Sequence, residues 1–328
     1  FCPCHSFDAS MGDDEEQSEV TGETVRTAIE QSRSGAPASG HTVRDRFETH
    51  EVFQRIIVAA DEEATTGARE LFFSALAAGF AITITYLLYS SMTAATGGAP
   101  IASVLLYPLG FVFIILGGYQ LYTENTLPPV VLLLERLVSV PRLLSIWGIV
   151  LLGNFTGGLA GALVLSQTGV FSSESAAAAT ELAWTCIETT PVALFFKAAF
   201  AGLIVAGIVW LVYAVRDDVA RVLVVYLAFL AVPLGDLFHV VVSFTEGMYL
   251  VFNGAVGLGP VLGGFVVPVL LGNTVGGVVL VTVVNYFQTT EERLDIARTD
   301  GVDRRLTTKE LLVGERAGRS YVPQQDDD

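Results

Sequence analysis

Long apolar stretches separated by short polar connections fill the middle of the chain, whereas both ends are polar. Each stretch is long enough to cross about 30 Å of hydrocarbon as a helix. Polar residues interrupt the second stretch before it continues, and the fifth contains an internal break. The stretches cover roughly residues 70–92, 103–121 with a continuation at 127–138, 143–166, 190–214, 221–251 and 261–287. The pattern predicts an all-α membrane protein with six transmembrane helices, of which the second and fifth are broken.

Charged side chains are concentrated outside this apolar middle. The first seventy residues hold fifteen of the thirty-four acidic side chains and the residues after 290 hold ten, which leaves nine acidic and five basic side chains between them. We therefore predict an acidic tail over 1–69, a six-helix membrane domain over 70–290 and a second acidic tail over 291–328. Apolar residues recur among charges over 42–69, which predicts an amphipathic helix leading into the first span.

The connections between spans predict the orientation. Arg residues occur between spans two and three, between spans four and five, and after span six, whereas the connections near 93–102, 167–189 and 252–260 contain no Lys or Arg. By the positive-inside rule, both termini are cytoplasmic in a multi-pass protein of the plasma membrane. The net charge of −16 disfavours nucleic acid as a partner, because phosphate binding needs clustered Lys and Arg. The acidic, lysine-poor composition also suggests a halophilic source as a hypothesis.

A repeated segment divides the membrane domain into halves. IVLLGNFTGGLAGALVL (149–165) and PVLLGNTVGGVVLVTVV (268–284) share LLGN and a following pair of glycines. The copies begin spans three and six, which are three spans apart and cross in opposite directions, so the copies enter the membrane from opposite sides. This indicates an inverted 3+3 repeat. The glycines are explained mostly by close helix packing.

The two interrupted helices occupy corresponding positions in these halves. Glu124 and Asn125 lie in the break of span two, and Gly235 and Asp236 lie in that of span five, just before His239. Broken helices of this kind indicate a substrate site near the midplane. An ionisable side chain at that depth is costly and is itself a functional hypothesis. The sequence therefore predicts a pore between the breaks, with His239 at its centre.

Five segments resemble signature sequences of the formate/nitrite transporter family, and most closely its YfdC-like branch. They are GYQLYTENTL, the two LLGN copies, FFKAAFAGLIVAGIVW and GDLFHVVVSFTEGMYLVFNG. The resemblance covers about residues 70–290. It implies an aquaporin-like protomer with one pore, assembled as a homopentamer, that passes small monovalent anions or their conjugate acids.

The resemblance also assigns positions. It implies that His239 is the central pore histidine, that Thr123 faces it from the loop of span two, and that Lys197 lies near the pore. Leu121 and Tyr122 fall where the family has apolar or aromatic residues of a constriction. Phe238, Ser243 and Gly202 replace a glutamate and two asparagines of well-studied members. These differences leave the substrate open among formate, nitrite and similar small anions.

These residues suggest a mechanism. A weak acid crosses apolar rings far more cheaply than its anion, so we predict proton-linked passage past His239. Helix amino termini near Leu127 and Leu237, together with the charge of Lys197, would attract the anion. Ser243 and Glu246 share a helical stripe with His239, so Glu246 is either a proton relay or a partner at a helix contact. Glu124 is expected to hydrogen-bond N–H groups of its own loop.

Two other classes of protein are also compatible with the sequence. A cation or neutral-solute channel stays open, because Glu124, Asp236 and Glu246 could line a cation path. A membrane scaffold without transport stays open too. An enzyme is not expected, and neither is a metal or cofactor, because the histidines other than His239 lie in the amino-terminal tail, without an HExxH motif.

Overall fold

The computed structural model describes residue 47, residues 49–288 and residues 306–314, all of them within one compact unit, Arg46–Asp328. Most of both predicted acidic tails, including the basic residues between 293 and 305, lies outside the described residues. The predicted amphipathic segment is described from residue 49 onward, and at residue 47.

The described residues form helices and no strands. They are α1 (Thr49–Thr65), α2 (Ala68–Thr96), α3 (Pro100–Val104), α4 (Leu109–Gly117), α5 (Pro128–Leu134), α6 (Val140–Gln167), α7 (Ser173–Glu188), α8 (Pro191–Ala214), α9 (Asp218–Leu234), α10 (Val240–Phe252), α11 (Pro260–Gln288) and α12 (Thr308–Val313). A short 3₁₀ helix, Glu124–Thr126, precedes α5, and α11 contains two π-helical stretches. The all-α prediction is confirmed.

Within the described chain, five helices are long and apolar enough to cross a membrane. They are α2, the continuous stretch Pro100–Gly117 that contains α3 and α4, α6, α8 and α11. The fifth apolar stretch of the sequence is divided between α9 and α10, and neither of these reaches the length of a single span. Large apolar side chains such as Phe73, Phe113 and Phe200 remain exposed on the spans, as expected for surfaces that face lipid or another subunit.

Helix α1 packs into the body of the protein. Phe53, Ile56 and Ile57 on one side of α1 are buried. The guanidinium of Arg142, on α6, donates to the carbonyl oxygens of Ala64 and Thr66 at 2.9 Å each. The corner between α1 and α2 is thereby fixed to α6.

Helix α7 corrects the sequence prediction of a plain connection over 167–189. Ser172 caps it by accepting a hydrogen bond from the backbone N–H of Ser175, and the hydroxyl of Tyr86 donates to the carbonyl oxygen of Ala179 at 2.8 Å. Its alanine-rich sequence favours a helix strongly. The segment lacks the apolar length of a span, so a search for hydrophobic stretches passes over it.

Close helix contacts occur at glycines in both halves. A Cβ at Gly79 of α2 would collide with the backbone of Asn154 on α6, and one at Gly202 of α8 would collide with the backbone of Asn273 on α11. Gly157 meets the carbonyl of Leu76 in the same way. The packing role predicted for the glycines of the repeat fits these contacts, and the space at Gly202 admits no side chain.

Candidate pore site

The break in the second span is held by one asparagine. Gly118 ends α4 in the left-handed conformation, with φ of 64°. The side chain of Asn154 then accepts a hydrogen bond from the backbone N–H of Tyr122 at 2.9 Å and donates to the carbonyl oxygens of Ala75 and Gln120 at 2.8 and 2.9 Å. An asparagine side chain can accept a hydrogen bond from a backbone N–H and donate to carbonyl oxygens at the same time. Asn154 therefore satisfies backbone groups of the buried loop that have no helical partner.

The break between α9 and α10 is held in the same manner. Asp236 has a φ of 52°, which turns the chain sharply after α9. The side chain of Asn273 accepts from the backbone N–H of Val240 at 2.8 Å and donates to the carbonyl oxygens of Phe238 and Ala198 at 2.9 and 2.8 Å. Asn154 and Asn273 are the asparagines of the two LLGN copies. Their motif was recognised in the sequence, but this clamping role was not.

The two breaks meet at His239. The hydroxyl of Thr123 and Nε2 of His239 are 2.8 Å apart, and both residues are 1% exposed. His239 is the N-cap residue of α10, so this helix begins at Val240 rather than near Leu237. The imidazole Nδ1 is buried and has no hydrogen-bond partner.

A stacked pair of aromatic side chains lies beside the imidazole. The ring of Phe111, on α4, meets the ring of His239 edge-on with centroids 5.0 Å apart. On its other side Phe111 stacks on Phe229 of α9 at 3.8 Å. Both phenylalanines are fully buried. The imidazole therefore has a buried apolar ring as a neighbour and contacts the hydroxyl of Thr123.

One cavity, of about 140 Å³, lies on the α7 side of His239 and is called the α7-side cavity. Its polar lining includes His239, Ser243 and Glu246 from the start and middle of α10, and Cys186 from α7. Glu246 is 5% exposed, and the thiol of Cys186 is its hydrogen-bond partner. Burial raises the pKa of the Cys186 thiol well above its usual range. The helical stripe of His239, Ser243 and Glu246 that the sequence predicted thus lines a single cavity. Cys186 was not predicted, because it lies on α7, which was not predicted either.

A second cavity of about 140 Å³ lies at the other end of α8 and is called the α1-side cavity. Glu63 of α1, Gln120 and Glu124 of the first break, and Tyr213 of α8 line it. The pKa of the Glu63 carboxyl is raised to about 7, mainly by burial. The hydrogen bond from Gln120 lowers this pKa, and the negative charge of Glu62 raises it further. Glu63 and Gln120 were not identified from the sequence, because nothing in the spacing of α1 and the break shows that they meet.

Glu124 does not hold its loop as the sequence predicted. Its Oε1 is buried and has no hydrogen-bond partner, and Asn154 fixes the break instead. The side-chain amide of Asn125 donates to Oε1 of Gln120, also in the loop, at 2.8 Å. The backbone carbonyl oxygen of Asn125 accepts from the indole N–H of Trp147 at 2.9 Å.

Lys197 and Asp236 form an ion pair near the α7-side cavity. The ammonium also lies 5.6 Å from the ring centroid of Phe238. Lys197 was expected to contribute a full positive charge, but Asp236 compensates it. Asp236 reaches the lysine because of its left-handed backbone conformation, and Gly235 lies just before that turn.

The residues suggested for a constriction are packed tightly. Leu121 is fully buried, and Tyr122 is 5% exposed, with its hydroxyl 2.8 Å from that of Thr274. Neither side chain lines either of the two cavities described above.

Comparison with known proteins is consistent with this geometry. Residues 50–287 match the family model described as "Formate/nitrite transporter". The chain is 30% identical over 243 residues to the "Inner membrane protein YfdC" of Escherichia coli (strain K12), a match that covers 72% of this chain and 77% of that protein.

Two solved structures share the fold. One is described as "FNT family ion channel", with a TM-score of 0.66 and 20% identity over 73% of this chain and 99% of that one. The other, "Pentameric formate channel with formate bound", has a TM-score of 0.58 and 19% identity over 67% of this chain and 97% of that one.

Proposed function

Because this chain belongs to the formate/nitrite transporter family, we propose that it is a membrane channel or transporter for small monovalent anions or their conjugate weak acids, with its pore at His239. The contact between Thr123 and His239 is the observation that carries the proposal. It joins the two broken helices at a buried point, and a cavity lies toward each end of α8.

The imidazole is suited to bind an anion. When the hydroxyl of Thr123 donates to Nε2, the imidazole proton resides on Nδ1, which has no other partner and can donate to a substrate. The buried position of His239 beside Phe111 makes a bare charge costly there, so the neutral acid passes more easily than the anion. Transport linked to a proton follows from that difference. Ser243 and Glu246 extend the polar path toward α7 and act as its relay.

The architecture we propose is six crossings in an inverted 3+3 repeat, with α9 and α10 together forming the fifth. The matching contacts of Asn154 and Asn273 support it, because each binds one break and one neighbouring span. We further propose a homopentamer in the plasma membrane with both termini in the cytoplasm. A similar structure is described as pentameric, and exposed apolar side chains cover the spans.

Uptake of labelled formate into proteoliposomes, driven by an inward proton gradient, tests the function. We expect His239→Phe to abolish proton-linked uptake, because no proton donor remains beside Thr123. His41→Phe, the same change in the amino-terminal tail, is the control and should retain uptake. Unchanged uptake by His239→Phe would disprove the role of the imidazole. Acetate, lactate, nitrite and hydrosulfide at two pH values then define the substrate.

A cation channel is the second candidate. Glu63 and Glu124 share one cavity and Glu246 lies in the other, while Lys197 is paired with Asp236. The same liposomes loaded with a fluorescent indicator for Na⁺ or K⁺ separate the two functions. Cation flux without anion uptake would favour this alternative, and absence of both would favour a scaffold.

A further inference from the structure

We propose that Glu63 and Glu124 form a proton-binding site in the α1-side cavity, which hands one proton to an anion arriving from that side. The inference rests on the proposed transport function, and it adds a site distinct from the central imidazole. The donor group is a pair of carboxyls contributed by α1 and by the loop that breaks the second span.

The geometry brings the two carboxyls into one cavity. Both line the same cavity, and each has a buried oxygen without a hydrogen-bond partner: Oε2 of Glu63 and Oε1 of Glu124. The other oxygen of Glu63 accepts a long hydrogen bond, 3.5 Å, from the amide of Gln120. Two acceptor atoms without donors in a confined space are costly unless a proton is bound between or upon them.

The charges around the α1-side cavity favour a bound proton. Among the described residues, no Lys or Arg lines this cavity. Glu62 on α1 adds negative charge nearby, and Tyr213 of α8 is a neutral phenol. Arg142 of α6 is engaged by the carbonyl oxygens at the corner between α1 and α2. Like charges in one site cannot both ionise freely. Burial is the main cause of the raised pKa of Glu63, and the charge of Glu62 adds to it.

The site is connected to the pore centre through the chain. Glu124 directly follows Thr123, whose hydroxyl contacts His239. The doubly protonated pair is neutral and does not repel an anion, whereas the ionised pair does. When the anion arrives, one carboxyl O–H bond breaks and an O–H bond forms on the anion. The neutral acid proceeds toward His239, and the carboxylate that remains takes a proton from a hydronium ion of the solution on the α1 side, which becomes water.

Infrared spectroscopy of the full-length protein in liposomes, titrated across neutral pH, measures the site without requiring transport. We expect the carbonyl band of protonated carboxyl groups to lose intensity as the pH rises through about 7. Glu63→Gln and Glu124→Gln should each change this step, and the double variant should remove it. Glu62→Gln is the matched control, since it removes a neighbouring exposed charge from the same helix and should retain the step.

Formate uptake provides the second measurement. The wild-type protein should lose uptake over the same pH interval, and the double variant should lose most proton-linked uptake at every pH, because a glutamine side chain has no carboxyl proton to hand to the anion. A band unchanged in the double variant would overturn the site, and so would a titration that moves with Na⁺ concentration, which indicates a bound cation. If the double variant does not assemble, the infrared titrations of Glu63→Gln and Glu124→Gln test the site in its place. A band unchanged in both single variants would overturn it. Absent uptake by the wild-type protein would refute the transport function, and the infrared titration would still decide the proton site.

Discussion

At the scale of single residues, two asparagines have the largest structural role. Asn154 and Asn273 are fully buried, and each makes three hydrogen bonds to backbone groups in two different segments. Backbone groups at membrane depth have no water to bind. These two side chains therefore allow the chain to leave the helical conformation beside His239.

Replacing either asparagine should open its break. Asn154→Ala or Asn273→Ala strands backbone donors and acceptors, at about 1–3 kcal/mol for each unsatisfied group. We expect a lower thermal midpoint of the detergent-solubilised protein and loss of formate uptake. Asn253→Ala, at an exposed helix end, should leave both unchanged. A full-strength transporter with Asn154→Ala would show that the loop is held by other contacts.

At the scale of elements, paired helices approach each other at glycines. In one half α2 lies against α6, and in the other α8 lies against α11, with Gly79 and Gly202 at matching contacts to Asn154 and Asn273. The distance between the helices of each pair thus determines where the asparagine amide reaches the break.

Helix α8 offers a direct test of this contact. Gly202→Ala adds a methyl group where the backbone of Asn273 lies, whereas a Cβ at Gly207 meets nothing within 4 Å. Overpacking of this kind costs about 1–3 kcal/mol, so Gly202→Ala should reduce the thermal midpoint and the yield of assembled protein. Gly207→Ala should match the wild type on size-exclusion chromatography. Equal behaviour of the two variants would contradict the close approach.

Sequence alone located the helices better than their contacts. The apolar stretches identify the spans because crossing a membrane demands length and composition, and these are local properties. The breaks were found because Pro, Gly and charged residues interrupt those stretches. The partners of Glu63, Lys197 and Asn273 were not found, because they depend on the folded arrangement. Helix α7 was not predicted, because it is shorter than a span and its alanines are less apolar than the residues of a typical span.

At the scale of the whole molecule, the net charge of −16 governs behaviour in solution. Like charges repel one another and destabilise a compact state unless salt screens them. We expect the thermal midpoint to rise as KCl is increased from 0.1 M to molar concentrations, which the halophilic hypothesis requires. Sucrose at matched osmolality is the control and should not reproduce the full rise. A midpoint indifferent to KCl would count against a halophilic origin.

The stacked pair of Phe111 and Phe229 beside His239 also has a consequence for selectivity. With the imidazole buried beside Phe111, which stacks on Phe229, a solute on the proposed path must shed its hydration shell before it reaches the nitrogen. Among weak acids of similar size and acidity, passage should therefore be ranked by the free energy of dehydration. On the proposed path, the aromatic pair then acts as a filter that senses how tightly a solute holds water.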